Sequence, residues 1–362
     1  MGNKKDVAIK AKQKKQFDIR GAFKKPALAA LAGVSDVAFR ELCKGFGAGV
    51  TFSEMVSAKA VWYGYKSGKH FKTLDLLKTS DTEDIKGVQI FGSDADIISE
   101  IVGYDIFDKY DIIDVNMGCP MPKIVNNGDG GALIKKENWD KAKNILTRLV
   151  KATKKPVTIK TRAGFNSNTA VEFAKMARDC GIAAISVHPR TVQQLYKGRA
   201  DWGVIKAVKA TLDIPVFARG DIFSAQAYFD VLDQTGADGA FIARGSFGNP
   251  FIFAEISAVQ NCSPTNNSPF ATKIKDSPNP TKKETSPKLL KDNPVPATLL
   301  KDTILQHIDL SLKHFGERYT VLTMRKHILW YFAKASLPKK LKAQATTLNC
   351  TNQLKDFIVS TL

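Results

Sequence analysis

From about residue 22 to residue 255 the chain alternates short, almost uninterrupted apolar runs with longer stretches whose apolar residues recur at helical spacing. The short runs predict strands at 27–32, 49–53, 87–91, 112–116, 157–161, 184–188, 214–218 and 239–243. The helical pattern covers 36–47, 94–108, 138–153, 169–180, 202–211 and 224–235. Strands that are apolar throughout, rather than alternating, belong to sheets covered by helices on both faces. Eight β-then-α units over about 230 residues predict a TIM (β/α)8 barrel. An open doubly wound sheet would carry a GxGxxG turn after its first strand. The first turn here is Ala32-Gly33-Val34-Ser35-Asp36 instead.

The flanks follow other patterns. Residues 1–21 form a lysine-rich lead-in, and the barrel is expected over 22–260. Residues 261–296 hold seven of the fifteen prolines, at 264, 269, 278, 280, 287, 294 and 296, among Asn, Ser, Thr and Lys. Such a composition buries too little apolar surface to offset its ordering entropy, so a disordered linker is expected. Beyond it Leu300, Ile304, Ile308 and Leu312 repeat every four residues, followed by Val321, Ile328, Leu329 and Phe332. This pattern predicts a small all-α domain over 297–362.

Composition narrows the class. Lys and Arg number 54 against 35 Asp and Glu, a formal net charge of +19, which points to a polyanionic partner such as nucleic acid. No apolar run has the roughly 18 residues a membrane span requires. The N-terminus is basic without an apolar core, unlike a secretory signal, and Asp6 breaks a myristoylation pattern. The five cysteines (43, 119, 180, 262 and 350) are odd in number and widely spaced, giving neither a disulfide framework nor a zinc site. A cytoplasmic, monomeric protein is expected, with no membrane or metal partner.

In this fold the active site lies at the carboxyl ends of the strands. There the chain delivers Gln89, Asn116 with Cys119, Lys160 with Arg162, His188 with Arg190, Arg219 with Gly220 and Asp221, and Ala243 with Arg244 and Gly245. Glycines 220 and 245, after the seventh and eighth strands, suit a phosphate, and Arg244 can clamp it. Asp114 lies within a strand and Asp221 is expected to stand alone, which disfavours two-metal chemistry. Lys160 offers a Schiff base as a rival reading. Cys180 is expected to be structural, on the apolar face of a helix. Cys119, in a Gly-Cys-Pro loop beside Lys160 and Arg162, can serve as nucleophile or proton donor.

Taken together, Ala32-Gly33-Val34-Ser35-Asp36-Val37-Ala38-Phe39-Arg40, Ser53-Glu54-Met55-Val56-Ser57-Ala58, Gln89-Ile90-Phe91-Gly92, Asn116-Met117-Gly118-Cys119-Pro120, Lys160-Thr161-Arg162, Val187-His188-Pro189-Arg190-Thr191 and Ala243-Arg244-Gly245 resemble the dihydrouridine synthases. The likeness resumes at Met324-Arg325-Lys326-His327, which is similar to the helical domain of bacterial members. The resemblance implies an FMN enzyme that takes hydride from NADPH or NADH and reduces uridines in tRNA to dihydrouridine. It implies that Cys119 protonates uracil C5 after hydride reaches C6, a role suited to a thiol that is protonated at neutral pH with an unperturbed pKa of about 8.5. On the same resemblance Asn116 meets the uracil edge and Arg162 approaches the base, while Arg325 and Lys326 contact tRNA. The flavin site would comprise Ala30, Leu31 and Ala32 along the first strand, Gln89 and Lys160 at the isoalloxazine, His188, Gly220, Ala243 and Arg244 toward the ribityl phosphate, and Arg219 and Asp221 after the seventh strand.

Three positions depart from the family pattern, the first being Ala30, where the family usually has Pro. Leu31 stands where the family usually has Met, and Arg219 stands where it usually has Asn. Arg219 would add a cation near the flavin phosphate or crowd the pocket. Two alternative functions follow: an RNA-binding relative with a decayed flavin site, and a flavin barrel that reduces a small enone.

Overall fold

The structure, a computed structural model, describes residues 17–68, 71–261 and 295–362. The lead-in up to residue 16 and the Pro-rich stretch 262–294 lie outside the described residues, as does Cys262.

Eight parallel strands close into a barrel in chain order. They are β1 (Ala27–Leu28), β2 (Val50–Ser57), β3 (Ile85–Phe91), β4 (Ile112–Met117), β5 (Val157–Arg162), β6 (Ala184–His188), β7 (Val216–Ala218) and β8 (Gly239–Ile242). β1 closes the ring by pairing Ala27 with Phe241 and Leu28 with Ile242 of β8. Around it lie α1 (Ile19–Ala22), α2 (Val37–Gly45), α3 (Ala58–Ser67), α4 (Ala95–Ile101), α5 (Pro122–Val125), α6 (Trp139–Ala152), α7 (Ala170–Asp179), α8 (Trp202–Thr211), α9 (Ala225–Thr235) and α10 (Phe251–Gln260). Then come α11 (Ala297–Phe315), α12 (Glu317–Lys334), α13 (Lys339–Ala345) and α14 (Thr351–Thr361). The expected architecture, a TIM barrel followed by a helical region, is the observed one.

Several boundaries differ from the sequence pattern for local reasons. β2 continues past residue 53 to Ser57, although Glu54 interrupts its apolar run, because the Glu54 carboxylate is buried and accepts the backbone N–H of Gly33. The register with β3 shifts between Phe52 and Met55. Such a bulge re-aims side chains, and here both Phe52 and Met55 serve the barrel interior. The helix expected over 94–108 stops at Ile101, short of Gly103, and a separate 3-10 turn forms at Asp105–Phe107. α3 was not marked by the period; Ser57 caps it, and of its ten residues only Ala58 and Val61 are buried.

The amino-terminal end of the barrel is plugged by aromatic rings. Phe23, just after α1, stacks on Phe217 at 3.9 Å, and Phe241 lies 5.2 Å from Phe23 and 5.3 Å from Phe52. A Cβ on Gly87, the third residue of β3, would sit 2.2 Å from the Phe52 ring, so glycine at this position leaves room for the plug. Each buried phenylalanine contributes roughly 1.5–3 kcal/mol through the area it removes from water.

α11 and α12 pack on each other, and α11 packs on α2 of the barrel. Phe39 of α2 lies 5.5 Å from His307 and 5.3 Å from His327. Phe247 stacks on Trp330 at 4.3 Å, and Glu41 bonds His314 at 2.7 Å. Tyr319 donates to Asp36, the cap of α2, at 3.2 Å. Among the described residues no helix is long and apolar enough to cross a membrane.

Candidate active site

The carboxyl ends of the strands enclose a cavity of about 430 Å³. It is lined by Ala30, Leu31 and Ala32 from the loop after β1, by Gln89, Asn116, Cys119, Lys160, Arg162 and His188, and by Arg219, Gly220, Asp221, Ala243 and Arg244. The barrel residues singled out from the sequence are thus brought together. Met55, Tyr196 and Phe223 line it as well and were not anticipated.

β4 points residues 112, 114 and 116 inward, two apart as strand geometry requires. Ile112 joins the aromatic plug, and Asp114 sits one level above it. The Asp114 carboxylate accepts Gln89 Nε2 and Thr158 Oγ1, each at 2.6 Å. Gln89 Oε1 accepts Asn116 Nδ2 at 2.8 Å. Asn116 Oδ1 in turn accepts the backbone N–H groups of Gly118 at 3.1 Å and Cys119 at 2.8 Å. A chain of hydrogen bonds therefore runs from a buried carboxylate to the cysteine loop. Asn116 spends both ends of its amide within the protein, its Nδ2 also lying 2.9 Å from Met55 Sδ. Burial raises the Asp114 pKa, against the pull of Arg219 and the two donors.

Cations hold the same loop from the other side. Lys160 Nζ donates to the Gly118 carbonyl at 3.1 Å and Arg162 Nε to the same oxygen at 3.0 Å. Arg162 Nη1 reaches the carbonyls of Thr191 at 2.9 Å and Leu195 at 2.7 Å. Burial, reinforced by Arg162 and Arg219, pushes the Lys160 ammonium well below its ordinary pKa. Burial also lowers Arg162 to about 10. Cys119 is 5% exposed, and its carbonyl accepts the N–H of Gly131 at 3.0 Å.

Opposite lies a glycine-lined side. Gly220 has φ +97°, and a Cβ there would lie 2.8 Å from the His188 ring, so only glycine lets the loop run beside the histidine. Burial, then the surrounding cations, push His188 far below its usual pKa, so it is neutral; its Nε2 lies 3.3 Å from Arg190 Nη1. Asp221 does not stand alone, as the sequence suggested. Arg190 grips it with two hydrogen bonds, 2.9 and 2.6 Å, and Arg244 approaches at 3.5 Å. Although burial works the other way, the Arg190 bonds hold its pKa below the usual carboxylate range. Arg244 stacks on Tyr196 at 4.3 Å and on Phe223 at 5.3 Å, two half-exposed rings at the mouth.

Arg325 and Lys326 do not line this cavity. Arg325 donates to the Leu348 carbonyl at 2.8 Å and to Asn349 Oδ1 at 3.1 Å. Lys326 Nζ donates to the Gly33 carbonyl in the first barrel loop. Arg219 turns into the barrel interior, its Nε on Ser186 Oγ at 2.9 Å and its guanidinium 3.7 Å from the Phe241 ring. Cys180, just past the end of α7, is buried and donates to the Met176 carbonyl at 3.2 Å. Among the described residues no group of three or more His, Cys, Asp or Glu is placed to hold a metal ion.

Comparison with known proteins gives a consistent likeness. The family model described as dihydrouridine synthase matches residues 27–360. A tRNA-dihydrouridine synthase B of Shewanella oneidensis is 36% identical over 307 residues, covering 84% of this chain and 85% of that protein. One of Vibrio cholerae is 34% identical over 334 residues, covering 91% and 93%. Among solved structures, the 6-hydroxypseudooxynicotine amine oxidase of Pseudomonas geniculata N1 shares the barrel fold, with a TM-score of 0.50 and 12% identity over 64% of this chain and 47% of that one.

Proposed function

The chain belongs to the dihydrouridine synthase family and is an enzyme, and from that premise we propose that it reduces specific uridines of tRNA in the cytoplasm to 5,6-dihydrouridine. The observation that carries this reading is the cysteine loop. A lone cysteine at a barrel mouth is ordinary, but Cys119 has its loop held on one side by Asp114, Gln89 and Asn116 and on the other by Lys160 and Arg162. That is the support a proton donor needs if it is to be placed to a fraction of an ångström.

The residues fit FMN. The cavity is of the size that takes a small-molecule cofactor. Its interior carries a buried guanidinium nitrogen of Arg219 with no partner among the described residues, and glycine backbone at 220 and 245 lies beside Arg244. FMN reduced by NADPH or NADH would supply the hydride for uracil C6. Gln89 and Lys160 would contact its ring; Gly220, Gly245 and Arg244 would hold its phosphate. Neutral His188 accepts from Arg190 rather than adding a charge, so the Arg190–Asp221 pair fixes the phosphate loop from outside. Cys119 holds the proton for uracil C5. Asn116 orients the Cys119 backbone, and Arg162, whose Nη2 makes no hydrogen bond among the described residues, is the group available to the base.

Residues 22–260 form the proposed catalytic unit and 297–362 the proposed tRNA-contacting unit. Within the latter, Arg325 and Lys326 act by holding the helices to one another and to the barrel. The test is direct. The purified protein should be yellow and should oxidise NADPH faster when given unmodified tRNA. Cys119→Ala should keep the flavin bound and reducible while product formation collapses. A colourless protein that FMN does not reconstitute would favour a decayed RNA-binding relative and sink the proposal.

A further inference from the structure

Arg219 is the side chain the site does not otherwise explain. Along β7 Phe217 faces inward to the aromatic plug, and two residues later Arg219 faces inward again, one level higher. It is 7% exposed, its Nε is satisfied by Ser186, its guanidinium lies 3.7 Å from the Phe241 ring, and its Nη2 is buried with no partner among the described residues. Leaving a charged donor desolvated and unpaired is costly. The nearby Asp114 carboxylate attracts Arg219 through space but spends its hydrogen bonds on Gln89 and Thr158, so it does not satisfy that nitrogen.

The interior around it is already positive. Lys160 and Arg162 stand on β5, two strands from β7, and both bind the Gly118 carbonyl. A surplus of buried cations stabilises whatever negative charge arises in the cavity, and in a medium of low dielectric that preference is large. On the flavin reading above, such a charge arises when the ring takes up a hydride. Two electrons and one hydrogen enter, the dihydronicotinamide donor is oxidised, and the ring is left with one negative charge. We propose that Arg219 supplies the permanent positive charge that favours this reduced, negatively charged form of the cofactor over the oxidised one, and so makes the bound flavin easier to reduce. Lys160 cannot do this alone, because its ammonium is pushed well below its ordinary pKa, partly by Arg219 itself. Arg219 is lowered only to about 10 and stays charged at neutral pH.

The experiment is a dye-coupled midpoint-potential measurement on the FMN-loaded wild type, Arg219→Gln and Arg219→Lys, with thermal melts as a fold control. The glutamine variant should lose about tenfold in the ratio of its affinities for reduced over oxidised FMN, read as a midpoint about 30 mV more negative for a two-electron couple. The lysine variant should recover most of that shift. Should Arg219→Gln release FMN, the same ratio is read from titrations of apo-protein with oxidised and dithionite-reduced cofactor. An unchanged midpoint in Arg219→Gln overturns the proposal while leaving the function intact. Equal shifts in both variants, or loss of FMN from both, would assign Arg219 to shape rather than charge and overturn it too. A wild type that binds no flavin would overturn this inference and the functional reading together.

Discussion

At the amino-terminal end of the barrel Phe23, Phe52, Phe217 and Phe241 pack ring on ring with no polar atom to satisfy. Above them Asp114 on β4, Thr158 on β5 and Arg219, two residues beyond Phe217, fill the interior; two residues further along β4 and β5 come Asn116 and Lys160, with Arg162 two beyond Lys160. The strand period of two puts every second side chain in the barrel, so the floor and the mouth differ only in which residue type occupies successive inward positions. The floor removes apolar surface and asks for nothing else. The mouth buries cations whose cost the fold does not recover by itself, and Arg219 still has an unpartnered nitrogen there. One end of the barrel is built to be stable, the other to hold something.

The sharpest way to break that division is a pair of truncations. Cys119→Ala should lower dihydrouridine formation by about 10²–10⁴-fold, the usual worth of a positioned proton donor, with the melting temperature and the flavin spectrum unchanged. Phe217→Ala should do the reverse, costing about 3–5 kcal/mol of stability by opening a cavity in the plug, with activity per folded molecule retained at low temperature. Product assays and denaturant unfolding separate the two. A Phe217→Ala protein that is stable but slow, or a Cys119→Ala protein that melts early, would show that the ends are coupled.

The floor was far more legible in the sequence than the mouth. Apolar runs and helical periods located eight strands in the right order, because strands covered on both faces carry their burial in their own composition. The runs failed where burial depends on a distant partner. β2 extends past Glu54 only because the N–H of Gly33 awaits its carboxylate. Met55 faces the cavity only because of a bulge that no pattern announces. The rim residues could be listed from strand ends, yet not their company. Asp221 is gripped by Arg190, Asp114 anchors the cysteine loop, and Lys326, a charge on an amphipathic helix, docks on a barrel loop. The inward parity of 112, 114 and 116 was the one available sign that Asp114 belongs to the site.

Asp114 joins the two ends and tests whether they can be separated. Asp114→Asn keeps the shape but turns one accepting oxygen into a donor facing Gln89 or Thr158. A buried donor left without an acceptor costs about 1–3 kcal/mol. The cysteine loop should loosen with it, lowering the rate by about tenfold while Cys119 itself is untouched. If stability falls and the rate does not, the hydrogen-bond chain supports the floor alone and Asn116 holds the loop unaided.

The smallest effect lies at a third buried polar cluster, where the helical region meets α2. His307 and His327 are wholly buried with ring centroids 4.5 Å apart, and both nitrogens of His327 lack a hydrogen-bond partner among the described residues. Burial lowers His307 to about 3 and His327 well below its usual value. Both are therefore neutral when folded, whereas in the unfolded chain they take up protons below about pH 6.5. The unfolded state binds more protons on the acid side, so stability is whole above that pH and falls as the pH drops toward 3. By pH 5.5 the loss should be on the order of 1 kcal/mol per histidine. Thermal melts between pH 7.5 and 5.5 should show a steeper acid decline for the wild type than for His327→Phe. Equal slopes would mean that the pair opens to solvent without unfolding. In that case this contact, unlike the aromatic plug, would be a joint that the helical region can flex.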